Sequence, residues 1–217
     1  HLLGAVTVET GALVDDAAVA VALPLNGQQF SDSGREYTFY SPSHVSAFSP
    51  TSGPIAGQTS LVVHGAHFKE GWEYRCRFGN ATVNATFVSD ERLACTAAPA
   101  HITGQHALEV SIDKYNFTDD AVQYLYYSVP VVSGITPTGG PTSGQTQVVL
   151  RGSDFTGGSE YRCKFGTRIV RATLGGSGKL TCVSPAQGMA GAVHVEVARN
   201  GQQFSTGGVS FAYHTAE

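Results

Sequence analysis

Residues 73–79 of this 217-residue chain read EYRCRFG, and residues 160–166 read EYRCKFG. The two stretches lie 87 residues apart, and the same shift aligns residues 44–130 with residues 131–217 without a gap. In each stretch apolar and charged residues alternate, which is the pattern of a β-strand with one buried face and one wet face. The chain therefore contains two copies of one unit, and that unit includes β-strands.

A third, partial copy precedes the two complete ones. The sequence NGQQF at residues 26–30 returns at residues 200–204, two shifts of 87 residues later. We therefore expect residues 1–43 to be the C-terminal part of an incomplete repeat, followed by complete repeats at 44–130 and 131–217. Half a unit does not cover its own core, so residues 18–43 need their missing half either from upstream chain or from strands lent by a neighbour. We favour the first and interpret the chain as an excerpt from a longer tandem array.

Turn signals divide each repeat into short strands. Asn-Gly pairs at residues 26–27 and 200–201 lie between strand-like runs, which predicts β-hairpins because a tight hairpin turn needs positive φ angles. No segment has a sustained helical period. About seven short strands in a repeat of this length are typical of an immunoglobulin-like β-sandwich.

Several short motifs recur at the same positions of both complete repeats. They are PxxGPxxGQT, GxxF, YRC[RK]FG, LxC and Fxxxxxx[YF]xY, first found at Pro50, Gly65, Tyr74, Leu93 and Phe117. Together they resemble the IPT/TIG domain, an immunoglobulin-like fold shared by plexins, transcription factors, some starch-active enzymes and long ciliary-surface ectodomains of the fibrocystin type. The resemblance implies an all-β chain of tandem immunoglobulin-like sandwiches, and it is specific for the fold rather than for one function.

The four cysteines form two pairs of equal spacing, Cys76 with Cys95 and Cys163 with Cys182. Four cysteines allow three pairings, and this one alone respects the repeat. We therefore expect one disulfide inside each complete repeat, with two pairs of buried free thiols as the alternative. The sequence lacks the CxxC pattern of a zinc site. Disulfides form in oxidising compartments, so they predict an extracellular or cell-surface location.

Three N-glycosylation sequons, at Asn80, Asn84 and Asn116, all lie in the middle repeat. Asn80 and Asn84 are close together on a predicted strand or strand edge, so glycans on both would crowd each other. We predict glycosylation of Asn116, in its hairpin loop, and of one of the other two. The alternative is a plain polar surface at all three positions.

The composition argues against two other classes of protein. The net charge is −4 and 14% of the residues are charged, whereas nucleic-acid-binding proteins carry a basic excess. With 41% apolar residues the chain can bury a core, yet it has no apolar run long enough for a membrane-spanning helix. These observations predict no nucleic-acid partner and no membrane insertion by this fragment.

Signals for chemistry are weak. His64 and His67 form an HxxH pair, but on a predicted strand end, where that spacing does not bring two ligands together. Residues 176–179 lack the residues of a phosphate loop, and the chain has no GxSxG elbow. We therefore predict no catalytic residue, no metal site and no cofactor. The one tryptophan, Trp72, has a serine as its counterpart in the last repeat, which indicates an edge or interface position.

Short junctions join the repeats. Residues 41–44 and 128–130 each contain a proline and no flexible Gly/Ser tract, which predicts a semi-rigid rod of sandwiches in series. The favoured function is a non-catalytic extracellular structural or adhesion module, a fragment of a larger multi-repeat cell-surface or filament glycoprotein. Its predicted partners are N-glycans and other repeats of the same chain or neighbouring subunits.

The family resemblance leaves two alternatives open. One is a plexin-like receptor ectodomain that binds a protein ligand, and the other is an accessory domain of a carbohydrate-active enzyme. An intracellular DNA-binding domain is disfavoured by the acidity of the chain and by its cysteine pairs. A ciliary-surface location follows from the resemblance alone.

Overall fold

The computed structural model describes residues 18–22, 35–38, 40–69, 71–176 and 178–215. Within these ranges the chain consists of β-strands joined by turns and loops, and the predicted all-β class is confirmed. A two-stranded antiparallel sheet precedes two eight-stranded assemblies, one in each complete repeat. The described part contains no helix suited to crossing a membrane.

The strands are numbered in chain order. The first unit contributes β1 (Ala18–Val21) and β2 (Arg35–Thr38). The middle repeat contributes β3 (His44–Ser49), β4 (Ser52–Pro54), β5 (Ser60–Ala66), β6 (Arg75–Phe78), β7 (Ala81–Ser89), β8 (Arg92–Thr96), β9 (Gly104–Ser111) and β10 (Gln123–Tyr127). The last repeat contributes β11 (Val131–Thr136), β12 (Gly139–Pro141), β13 (Gln147–Ser153), β14 (Arg162–Phe165), β15 (Arg168–Leu174), β16 (Leu180–Val183), β17 (Gly191–Ala198) and β18 (Val209–His214).

The middle repeat folds as two layers that share strand β7. The first half of β7, through Asn84, pairs with β6, and its second half, from Ala85, pairs with β8. One layer therefore has the order β3-β5-β8-β7 and the other the order β7-β6-β9-β10-β4. Strands β11–β18 repeat this order in the last repeat. Both repeats are immunoglobulin-like sandwiches, as predicted.

Each repeat has a core of its own, built from alternate residues of the facing layers. On β5, Leu61 and Val63 are 1% and 0% exposed, while Val62 between them is 41% exposed. Residues of β6 in the other layer, Cys76 and Phe78, face this row and are equally buried. The core residues of the middle repeat come from 45–126 and those of the last repeat from 132–213. The period of two in the sequence thus reports directly which side chains meet in each core.

The glycine of the GxxF motif allows a close approach of two strands and a ring. A Cβ added at Gly65 on β5 would lie 1.9 Å from the carbonyl oxygen of His44 on β3 and 2.5 Å from Cζ of Phe68. The Phe68 ring is 0% exposed. The motif is therefore a packing device: the missing side chain leaves room for the ring three residues later.

A short parallel pair lies at one edge of each sandwich. Strand β4 pairs in parallel with β10, with Ser52 opposite Leu125 and Pro54 opposite Tyr127. Strand β12 pairs with β18 in the same way. These three-residue strands, SGP and GGP, are too short to show an alternating pattern, so each repeat has one strand more than the sequence predicts.

The Asn-Gly pair at residues 200–201 does not form the expected two-residue hairpin turn. Residues 199–208 connect β17 to β18, and Gly201 has a positive φ of 74° whereas Asn200 does not. The reason is that the Asn200 side chain accepts hydrogen bonds from the two backbone N–H groups that follow the glycine, which shapes a longer loop. The matching pair at residues 26–27 lies outside the described residues.

Candidate inter-repeat interface

The structure joins Cys76 to Cys95 and Cys163 to Cys182 by disulfide bonds. The first bond connects β6 to β8 and so links the two layers of the middle repeat through its core. The second does the same for β14 and β16 in the last repeat. All four cysteines are buried, and the described residues include no free thiol. Each bond therefore stabilises one repeat.

The three sequon asparagines are exposed side chains. Asn80 lies in the turn between β6 and β7, Asn84 lies in β7 opposite Arg75, and Asn116 lies in the loop after β9. The carboxamide of Asn116 donates to Oδ2 of Asp113 at 2.7 Å. Their exposure is compatible with glycosylation, which stays a prediction.

A loop of the last repeat lies against an edge of the middle repeat. We call residues 199–203 the junction loop and residues 58–60 the acceptor edge. Gln202 in the junction loop donates from Nε2 to the carbonyl oxygen of Ser60, and the Ser60 N–H donates to Oε1 of Gln202, both at 2.9 Å. The side-chain amide thereby pairs with the edge as the backbone of an added strand would.

The buried Thr59 lies at the centre of this contact. Gln203 donates from Nε2 to the carbonyl oxygen of Gln58 at 3.0 Å and accepts from the Thr59 hydroxyl at 3.0 Å. Asn200 donates from Nδ2 to Oε1 of Gln203 at 2.6 Å and lies 3.2 Å from the Thr59 hydroxyl. Thr59 and Asn200 are 0% and 1% exposed. Opening the junction would therefore expose polar groups that now satisfy one another.

A cation–π contact lies beside these hydrogen bonds. The guanidinium carbon of Arg199 is 3.8 Å from the ring centroid of Tyr127, the last residue of β10. Arg199 also donates to the carbonyl oxygen of Thr156 and is 4% exposed. Burial lowers its pKa, while the nearby Tyr127 works in the opposite direction. The last repeat therefore holds the final strand of the middle repeat as well as its acceptor edge.

The middle repeat has a loop of the same shape at residues 113–116. Asp113 takes the place of Asn200, and its Oδ1 accepts from the backbone N–H groups two and three residues later, at 2.9 and 2.8 Å. Lys114 has a φ of 75° where Gly201 has 74°. The two loops share one backbone conformation although their sequences differ.

The hydrogen bonds around Asp113 lower its pKa to about 2. Partial burial alone would raise the pKa, but hydrogen bonds from Asn116, from the Tyr115 backbone and from the Ser111 hydroxyl together outweigh it. A carboxylate whose pKa is lower in the folded state stabilises that state above its unfolded value of 3.8. This stabilisation is lost as the pH falls towards 2.

We expect an NMR titration of the Asp113 carboxyl carbon to give an apparent pKa near 2. The Asp113→Asn variant introduces the side chain found at position 200, so the loop should keep its shape. Its free energy of unfolding should depend less on pH between about 4 and 2 than that of the unmodified chain. An Asp113 pKa near 3.8 would contradict the hydrogen-bond pattern described here.

The sequence predicted a turn at residues 200–201 but not this interface. A usable signal was present, because NGQQF is identical at residues 26–30 and 200–204. A turn needs only the first two of these residues, so the two glutamines indicate a further contact.

Trp72 lies outside the core, in the loop before β6, with 73% of its surface exposed. Among the described residues no cluster of His, Cys, Asp or Glu is arranged to hold a metal ion.

The model of the IPT/TIG domain family matches residues 42–126 and 130–213, which is more than half of the chain. This chain belongs to the IPT/TIG domain family. The resemblance drawn from the motifs is thereby confirmed. Each complete IPT/TIG domain has residues that correspond to the junction loop and residues that correspond to the acceptor edge, related by the shift of 87 residues.

Relatives of this IPT/TIG chain are parts of very large proteins. Plexin-A2 of Mus musculus is 29% identical over 158 residues, which cover 70% of this chain and 8% of that protein. Fibrocystin-L of Homo sapiens is 28% identical over 140 residues, which cover 64% of this chain and 3% of that protein. The chain thus spans less than a tenth of the length of these relatives.

A solved structure supports the fold. The full extracellular region of Plexin A4 superposes with a TM-score of 0.62 at 15% sequence identity, covering 89% of this chain and 17% of that one. At this level of identity the likeness shows a shared fold and nothing about a ligand.

Proposed function

We propose that this chain is a non-catalytic extracellular module in which two IPT/TIG repeats act as one stiff unit of a larger cell-surface protein. The observation that carries the proposal is the contact between the junction loop and the acceptor edge. A freely jointed pair of domains would gain nothing from buried, mutually satisfied side chains at its junction. The two disulfides and the plexin relatives favour the extracellular location.

The short linker makes a small interface effective. Only residues 128–130 separate β10 from β11, so the junction loop and the acceptor edge are held close together. Docking is therefore intramolecular. The linker keeps the effective concentration of the two surfaces high, so docking costs less translational and rotational entropy than the association of two separate molecules. One hydrogen bond contributes about 1 kcal/mol, and a cation–π contact contributes about as much. Several such contacts suffice to keep the junction closed most of the time.

The proposal is tested by NMR relaxation, which reports how fast each repeat tumbles. In the unmodified chain we expect backbone amides of both repeats to give one rotational correlation time. The double variant Gln202→Ala/Gln203→Ala should give two shorter times, because the repeats then reorient separately. Its melting temperature should barely change, since each repeat keeps its own core.

The matched control is Gln123→Ala. This exposed glutamine of β10 donates a hydrogen bond to the carbonyl oxygen of Ala121, within the middle repeat, and none of its described hydrogen bonds reaches the last repeat. This variant should tumble like the unmodified chain. Two separate correlation times in the unmodified chain would show freely jointed repeats and would exclude a stiff unit.

The plexin relatives favour a second candidate, a receptor ectodomain module that contacts a protein ligand. The two candidates differ in what the exposed loops do. A spacer tolerates substitution of exposed loop residues outside its junctions, whereas a ligand-binding module loses affinity when a few of them are truncated. Surface alanine scanning against cells that bind the chain would distinguish them.

We further propose that the middle repeat carries N-glycans at Asn116 and at one of the pair Asn80 and Asn84. All three side chains are exposed. The chain secreted from animal cells should lose mass on enzymatic deglycosylation, and the variants Asn80→Gln, Asn84→Gln and Asn116→Gln assign the loss to positions. An unchanged mass would contradict glycosylation of this chain.

A further inference from the structure

Two aromatic side chains form an exposed face on the middle repeat. Trp72 and Tyr115 each leave 73% of their surface accessible. They lie on adjacent loops, because Glu73 and Asp113 form a parallel bridge and the Trp72 N–H donates to the carbonyl oxygen of Ile112 at 3.0 Å. Exposed tryptophan and tyrosine side chains grouped in this way are typical of a protein interface.

The last repeat uses these same positions to contact the middle repeat. With the shift of 87 residues, Trp72 corresponds to Ser159 and Tyr115 to Gln202. Ser159 lies in hydrogen-bond contact with Ser52 at 3.3 Å, and Gln202 pairs with the acceptor edge. The face of the last repeat that docks onto its predecessor is thus the face that carries the two aromatic residues in the middle repeat.

The geometry of the two faces is the same. The bridge between Glu73 and Asp113 recurs between Glu160 and Asn200. The loops agree in their positive φ angle and in the side-chain oxygen that accepts from two backbone N–H groups. Because the two loops share these features, Tyr115 occupies the position in its loop that Gln202 occupies in the junction loop.

The residues that lead into the middle repeat lie beside this face. Tyr40, Pro42 and Ser43 line a cleft of about 350 Å³ together with Asn116 and Phe117. Tyr40 corresponds to Tyr127, the residue on which Arg199 stacks at the other junction. A repeat joined through these residues would therefore be tethered next to the aromatic face, as the middle repeat is tethered next to the junction loop.

We propose that Trp72 and Tyr115 dock the middle repeat onto the acceptor edge of the IPT/TIG repeat that precedes it in the array. The occupant is the edge of that repeat that corresponds to residues 58–60 of the middle repeat. The contact replaces the polar pairs of the second junction by two aromatic rings, so it buries more apolar surface. The two junctions of the chain thus share one geometry and differ in chemistry.

Asn116 lies on the same face, in the place of Gln203. Gln203 reaches the acceptor edge at the second junction, so a glycan on Asn116 would occupy the space that the preceding repeat needs. The glycan proposed for Asn116 and docking therefore exclude each other on the same molecule, so the native middle repeat carries Asn116→Gln in both the three-repeat chain and the 217-residue chain of the test.

The test supplies the preceding repeat in the same register. Residues 44–130 are joined directly to residues 44–217, which replaces residues 1–43 and keeps both the 87-residue period and the linker at 128–130. Each core draws its residues from its own repeat, so this chain retains complete domains. The added repeat carries Trp72→Ser, so the native Trp72 is the only tryptophan of the three-repeat chain.

We expect Trp72 in this three-repeat chain to emit at shorter wavelength than in the 217-residue chain and to be quenched by acrylamide about threefold less, since a docked hot-spot residue is shielded from water. Ser60→Arg in the added repeat, at an exposed position of its acceptor edge, should restore quenching. The same substitution in the native repeat is the control, because it disturbs only the second junction.

Equal quenching in the three-repeat and 217-residue chains would overturn the proposal. Protection that Ser60→Arg does not relieve would also overturn it, because the contact would not use the acceptor edge. Protection of Trp72 that appears in the 217-residue chain with rising protein concentration would assign the face to a second copy instead.

Discussion

Gly152→Ala is expected to destabilise the last repeat by about 3 kcal/mol or more, because the added methyl group meets backbone that cannot move aside. Its Cβ would lie 1.8 Å from the carbonyl oxygen of Val131 on β11 and 2.6 Å from Cζ of Phe155. Relief requires that β11 and β13 separate or that the buried Phe155 ring leaves its site. Either change disrupts the core of the repeat.

Chemical denaturation monitored by NMR of each repeat measures this effect. The matched control is Gly134→Ala on β11, where an added Cβ meets nothing within 4 Å, and its effect should stay within about 0.5 kcal/mol. The middle repeat should unfold as before in both variants, since the cores are separate. If Gly152→Ala were as mild as the control, the close approach of β11 and β13 would be refuted.

Removal of one disulfide should have a comparable effect on one repeat only. In the double variant Cys163→Ala/Cys182→Ala, the unfolded chain regains the freedom of a loop of about 20 residues, which costs roughly 3 kcal/mol of stability. The loss of two buried sulfur atoms adds to this cost. We expect calorimetry to show the last repeat melting at lower temperature, while the middle repeat melts as before.

The corresponding double variant Cys76→Ala/Cys95→Ala serves as the reciprocal control, because it should lower the melting temperature of the middle repeat alone. A thiol reductant should lower both. Coupled melting of the two repeats in either variant would show that the junction contributes more to stability than its few hydrogen bonds imply.

The sequence was sufficient for the fold because its signal is periodic. Alternation along Tyr74, Cys76 and Phe78 reflects which side chains face the core, and any sandwich strand of this kind must show it. The same logic fails for β4 and β12, since three residues carry no period. Their parallel pairing with the final strand depends on the distant ends of the repeat meeting in space.

The interface was harder to predict because its parts are far apart in sequence. Gln202 contacts Ser60 across 142 residues, and no local pattern encodes that partnership. Trp72 was more informative: its serine counterpart separated it from core residues, which recur in both repeats. The structure adds the reason, since that serine contacts the neighbouring repeat.

The parallel pair of β4 and β10 has a mechanical consequence. Strand β4 lies near the beginning of the repeat and β10 ends it, so a pull on the two ends drags the strands past each other along their length. The hydrogen bonds between the two strands are then perpendicular to the applied force and have to break together. Once this pair has separated, the Cys76–Cys95 disulfide bond still prevents the residues between the two cysteines from being extended. Tension on an array of such domains would meet a shear clamp in every repeat, and each rupture would release only a limited length of chain.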